Sequence, residues 1–148
     1  MTAKNYLLSF SFVFIQFLCL IVIFLSGPLM ARQPVLLVLE TLGLILGVWA
    51  ILVMRIGHFN IAPDLLRGST LVTSGPYRFI RHPMYSSLLL VSLAVVLDAF
   101  TVPRGIVWLI LLVNMLLKLR YEENMLRGQL EGYDAYRQQS KRLIPFLF

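Results

Sequence analysis

Apolar residues fall into four runs along this chain, Leu7 to Leu25, Val35 to Met54, Met84 to about Phe100 and Gly105 to about Leu119. Each is apolar on every side, so none reads as the one-sided stripe of a surface helix, and the first two have the length of a membrane-crossing helix. Ser26, Gly27, Pro28 and Pro34 in "SGPLMARQP" end the first run, and Pro103 divides the last two into a helical hairpin. A signal peptide is the competing reading of the first run. That run is longer than the ~7–15 residues of a signal's apolar core, and "LMARQP" offers no small-x-small cleavage pattern. In the second run Gly43, Gly47 and Ala50 share one helical face, a small-residue seam that can serve internal packing or a homodimer contact. No repeat or low-complexity segment appears. The pattern predicts one all-α membrane domain over 1–148, with four transmembrane helices and short cytoplasmic helices.

Composition supports this reading. Of 148 residues, 59% are hydrophobic and 14% charged, more apolar surface than a soluble domain of this size can bury. The net charge of +6 is spread singly over loops and tail, without the basic patch that nucleic acid would require. A single cysteine, Cys19 in the first run, excludes an intrachain disulfide, reads as packing, and leaves no Cys/His metal spacing. With four spans, Lys4, Arg55, Arg67, Arg78, Arg81, Lys118, Arg120, Arg127, Arg137, Lys141 and Arg142 share one side, and Arg32 and Arg104 the other. The positive-inside rule puts the eleven, and both termini, in the cytoplasm. The expected setting is a prokaryotic inner membrane.

Two polar segments then meet at that cytoplasmic face. The first is "LVTSGPYRFIRHPMY", Leu71 to Tyr85. Pro76 suits the first turn of a short helix that Thr73 or Ser74 can cap, and along it Tyr77 and Arg81, four apart, would share a face. Pro83 moves His82 out of the helical region into a cap-like position and starts the third span. Free backbone N–H groups there, with Arg81 and the His82 imidazole, make a donor-rich corner suited to a carboxylate or phosphate. The second segment begins with "KLRYEENMLR", where good helix formers carry the fourth span on to Gly128. Leu116, Arg120, Glu123 and Arg127 align on one face, and Asn114, Lys118, Tyr121, Glu122 and Met125 on the next. Glu122 and Glu123 point about 100° apart, so one can face the bundle while the other meets solvent.

The sequence GPYxxxRHPxY, a hydrophobic hairpin, then "EENML" and "GYDAYRQQSKRLIPF", resembles the isoprenylcysteine carboxyl methyltransferase and phospholipid methyltransferase group of membrane enzymes, over roughly Gly57 to Phe148 with "GHFNIAP" as lead-in. The resemblance implies S-adenosylmethionine as methyl donor, held in a cytoplasm-facing pocket of helices and loops. No strand followed by a glycine-rich turn is present for a doubly wound alternative. Carried over, Leu71 and Val72 look like backbone and apolar contacts to the cofactor and Tyr77 like its aromatic wall. His82, Pro83 and Tyr85 look like contacts to its amino-acid end, Glu123 (with Glu122 as rival) like the carboxylate binding its polar groups, and Arg120 like the arginine near the acceptor. The acceptor it implies is a lipid-like or prenylated molecule arriving from the bilayer. A carboxylate would need no general base and could pair with Arg120; an amine would need one, for which Glu122 is the candidate.

Each of these residues also has a plainer reading. Arg78 and Arg81 can be positive-inside anchors, His82 an interfacial cap, Tyr77 and Tyr85 belt aromatics, and the two glutamates part of a solvated ion-pair face with Lys118, Arg120 and Arg127. His58 and Asn60 read as loop residues, Glu40 as a packing or interfacial group, and Asn114 as an interhelical hydrogen bond before a pocket residue. Tyr133, Tyr136, Pro145 and Phe146 look like a tail returning to the membrane surface over the pocket. Besides a membrane methyltransferase, the sequence admits a non-enzymatic subunit binding anionic lipid head groups and a purely structural membrane partner.

Overall fold

A computed structural model describes residues 3–55, 71–129 and 132–145. The expected lead-in segment, with His58 and Asn60, lies outside the described residues, as does Phe146. The elements are α1 (Ala3–Leu25), α2 (Pro34–Arg55), a 3-10 turn (Gly75–Arg78), α3 (Pro83–Asp98), α4 (Val102–Gln129) and α5 (Tyr133–Gln139), and the described residues contain no strand. Successive long helices alternate in direction. The start of α1, the end of α2, the start of α3 and the end of α4 therefore share one end of the bundle, called the site end below.

Among the described residues, α1, α2 and α4 are long and apolar enough to cross a membrane. The third expected span is realised as a 16-residue apolar helix, about 24 Å long against ~30 Å of hydrocarbon. It stops at Asp98, two residues early, because that carboxylate is used elsewhere: it accepts the backbone N–H groups of Arg32 and Gln33, both at 2.9 Å, just ahead of α2. The fourth span starts earlier than expected, at Val102, since Pro103 fits a first helical turn instead of separating helices. Its 28 residues make about 42 Å, so α4 outruns the hydrocarbon and carries its last turns beyond it.

The small-residue seam is used within the chain. A methyl group on Gly47 would sit 2.4 Å from Ser87 Oγ, and one on Gly43 2.9 Å from Val91 Cγ2, while Ala50 is fully buried. The Ser87 hydroxyl donates to the Gly43 carbonyl at 2.7 Å, which locks α3 onto α2. On the other side Cys19 and Ile23 of α1 pack with Leu111, Met115 and Leu119 of α4 and with Leu89, Val95 and Val96 of α3. Asn114 Nδ2 donates to the Phe12 carbonyl at 3.0 Å, tying α4 to α1.

Two buried charges organise the distal end. The Arg104 guanidinium donates to the carbonyls of Ala99 (2.6 Å), Ile23 (3.2 Å) and Val95 (3.2 Å), so one cation sits on carbonyls at the ends of α1 and α3. The Glu40 carboxylate accepts the Ala31 N–H at 2.8 Å, a packing role.

Candidate functional site

The segment entering α3 is shaped by a glycine that cannot be replaced freely. Gly75 has φ +60°, and a Cβ there would lie 2.7 Å from Val53 Cγ2, so its turn lies tight against the end of α2. The helix expected after Pro76 is a four-residue 3-10 turn, and the Ser74 side chain makes no capping bond. Because the turn ends at Arg78, Tyr77 and Arg81 do not share a helical face. Tyr77 is buried, with its carbonyl accepting the Tyr136 hydroxyl at 2.6 Å, while Arg81 turns towards α4.

The tail holds the stretch that follows. Lys141 N–H donates to Phe79 O (3.0 Å), Arg81 N–H to Lys141 O (2.7 Å) and His82 N–H to Arg142 O (3.1 Å), a short parallel pairing centred on Ile80. The Ser86 hydroxyl then reaches the Leu143 carbonyl at 2.6 Å. These bonds give residues 79–86 partners that α3 cannot supply, since a helix start leaves its first N–H groups unpaired. Pro83 is fully buried, and His82 precedes it at φ −123°, ψ 59°, in the cap position expected of it.

Side chains from α3, α4 and the tail converge here. Glu123, 3% exposed, accepts Arg81 Nε at 2.8 Å on one oxygen and Arg142 Nε at 3.1 Å on the other. Arg81 also donates to the carbonyls of Arg137 (3.2 Å) and Ser140. Glu122 accepts the Tyr85 hydroxyl at 2.5 Å. The His82 ring stacks on Tyr85 with centroids 5.3 Å apart and lies between the two carboxylates, Nδ1 3.6 Å from Glu122 and Nε2 3.8 Å from Glu123. Both glutamates thus turn inward, although their angular separation allowed one of them to meet solvent.

The other candidates are placed less centrally. Leu71 and Val72 are half-buried where the described segment resumes. Arg120 is exposed and joins no hydrogen bond or ion pair among the described residues, so the structure does not bring it into the cluster. Three members were not singled out from sequence. Arg142 opens the terminal R-x-x-P pattern, so its signal was present without a role. Ser140 contributes a backbone carbonyl, which residue type does not announce. Lys118 was read as solvated, yet it is 2% exposed, with Nζ 3.1 Å from Gln16 Oε1 and 5.1 Å from the centre of the Tyr85 ring.

Among the described residues the buried hydroxyls of Tyr77, Tyr121 and Tyr133 lack a hydrogen-bond partner, and His82 Nε2 has only the 3.8 Å approach of Glu123. Burial raises the Tyr77 and Tyr133 hydroxyls well above the ordinary tyrosine range and pushes Tyr136 up to about 12, so all three remain donors at neutral pH. Unspent donors beside two guanidinium groups suit a ligand with an anionic end and further polar groups, as S-adenosylmethionine has. The open cleft of about 470 Å³ formed by Gly27, Pro28, Arg32, Gln33, Asp98 and Ala99 lies at the distal end and shares no side chain with this cluster.

A family model described as phospholipid methyltransferase matches residues 35–131. The match starts earlier than the sequence resemblance suggested, taking in α2 and running through α4, and it includes neither α1 nor the tail pairing. No curated protein matches the chain.

Proposed function

The chain belongs to the phospholipid methyltransferase family, and from that premise we propose that it methylates the carboxylate of a lipid-like, isoprenylcysteine-type acceptor, using S-adenosylmethionine as donor. The observation that supports this most is the joining of the RHP segment to the two glutamates of α4 in one buried cluster at the site end, beside an apolar bundle. His82, Pro83 and Tyr85 would hold the amino-acid end of the donor, Tyr77 its aromatic face, and Leu71 and Val72 its remaining apolar and backbone contacts. Glu123 fixes Arg81 and Arg142 at the same place and would meet the donor's polar groups.

Bound there, S-adenosylmethionine would supply a sulfonium methyl that passes to a carboxylate oxygen while the S–C bond returns its electron pair to sulfur, giving a methyl ester, S-adenosylhomocysteine and no proton to remove. The protein's part is positioning and exclusion of water, which suits a buried cluster closed by a tail. Glu122 is engaged by Tyr85 and has no proton to accept in this reaction. With an amine acceptor Glu122 would instead have to serve as base.

Calorimetric titration of the purified protein with S-adenosylmethionine and S-adenosylhomocysteine tests the donor site. Saturable binding is expected for the wild type, weakened about tenfold or more in His82→Ala. No binding at millimolar donor would refute the reading. Transfer of labelled methyl to membrane extracts then separates the acceptor classes, since methyl esters release label in alkali and N-methyl groups do not. Alkali-stable product would replace the carboxylate acceptor with an amine.

A further inference from the structure

Lys118 is the buried charge that the reading above leaves unused. An ammonium group taken out of water is expensive unless an anion or several acceptors replace its hydration. Among the described residues Lys118 has one neutral acceptor, Gln16 Oε1, and the face of Tyr85; Glu122 acts on it through its field alone, with no ion pair or hydrogen bond between them. The group has three N–H donors, so two are unspent.

Its surroundings are polar in the same incomplete way. Along the contact between α1 and α4 lie Gln16, Asn114, Lys118 and Tyr121; the Tyr121 hydroxyl, like that of Ser9 on α1, is buried without a partner among the described residues. The Phe12 and Tyr121 rings lie together there, 6.0 Å between centres. Polar groups at membrane depth are costly and usually face a pathway or a site. This row leads to Tyr85, which touches Lys118 through its ring, stacks on His82 and donates to Glu122. Tyr85 thus joins the donor corner to the α1–α4 row.

Resting on the methyl-transfer reading, we infer that Lys118, held in place by Gln16, is the cation that receives the acceptor's carboxylate and sets it beside Tyr85. Arg120, exposed and outside the cluster, leaves that role open. Gln16 belongs to α1, outside the residues 35–131 that match the family, whereas Lys118, Tyr85, His82 and both glutamates lie within them. The same device favours release: methylation removes the acceptor's charge, and with it the attraction to the ammonium.

N-acetyl-S-farnesylcysteine and its methyl ester are the probes, with binding to the S-adenosylhomocysteine-loaded and the ligand-free protein followed by calorimetry and turnover by labelled methyl transfer. The wild type should bind the acid about tenfold or more tighter than the ester. Lys118→Met should erase that difference and raise KM for the acid by a similar factor with donor affinity unchanged, Lys118→Arg should restore most of it, and Gln16→Leu should fall between. Equal binding of acid and ester by the wild type overturns the inference. So does a Lys118→Met variant that keeps the preference, or one that loses donor and acid binding alike, since a merely structural lysine would behave that way. Because acid against ester binding is measured without turnover, a failure of methyl transfer or of donor binding counts against the proposed function alone.

Discussion

At the scale of single residues, a carboxylate between two guanidinium groups is the centre of this molecule's polar chemistry. Glu123 accepts from Arg81 and Arg142 on separate oxygens and is almost fully buried, so neutralising it leaves two cations facing an uncharged amide. Breaking a buried pair by removing one partner costs about 3–5 kcal/mol, here lowered by the partial exposure of Arg142. Glu123→Gln should therefore lose about 2–3 kcal/mol of stability in detergent denaturation and bind donor more weakly. Glu122→Gln, which keeps an acceptor for the Tyr85 hydroxyl, should lose less than half as much. Equal losses would mean that the two glutamates share one role. Sequence brought both glutamates and the RHP residues into view because their types and spacing are unusual beside lipid. It could not show that Lys118 turns inward, because one helical face can be buried or solvated depending on what packs there, and Gln16 lies about a hundred residues away.

The elements show the same division between local and distant information. The α2–α3 seam was legible because small residues at i and i+4 leave a groove whatever fills it. A Cβ on Gly47 would meet Ser87 Oγ at 2.4 Å, so Gly47→Ala should destabilise by about 1–3 kcal/mol. Adding Ser87→Ala should recover part of that loss, a coupling that a double-mutant cycle would measure and that independent sites would not show. The tail was harder to read. Its tyrosines suggested a segment folded back over the site, but the backbone pairing of Lys141 and Arg142 with residues 79–82 depends on no side chain and left no mark in the sequence. Removing residues 140–148 takes away the acceptors of the Arg81 and His82 N–H groups, the Ser140 carbonyl and Arg142 together. The truncated protein should keep its helical content by circular dichroism yet lose donor binding about tenfold or more, whereas unchanged binding would make the tail a bystander.

For the whole molecule, charge asymmetry and architecture lead to one orientation. The alternating helices gather the polar cluster, α5 and both ends of the described chain at one end of the bundle, the end that holds ten of the thirteen Lys and Arg residues, with Arg67 outside the described residues. The distal end is held by Arg104 and Glu40 against backbone groups, and among the described residues it carries no comparable cluster of converging charged side chains. We propose that the site end faces the cytoplasm: the positive-inside rule predicts it, and a donor that is a soluble, charged metabolite would have to reach the site from the compartment where it is made. Cysteine labelling decides this cleanly because the native Cys19 is buried in the core and gives little background. Asp134→Cys, at an exposed position of α5, should react with a membrane-impermeant maleimide only in inside-out vesicles. Gln33→Cys, exposed ahead of α2, should react only in intact cells or right-side-out vesicles. The reverse pattern would put the cluster outside the cell, where S-adenosylmethionine is not supplied, and would remove the donor from the proposed reaction.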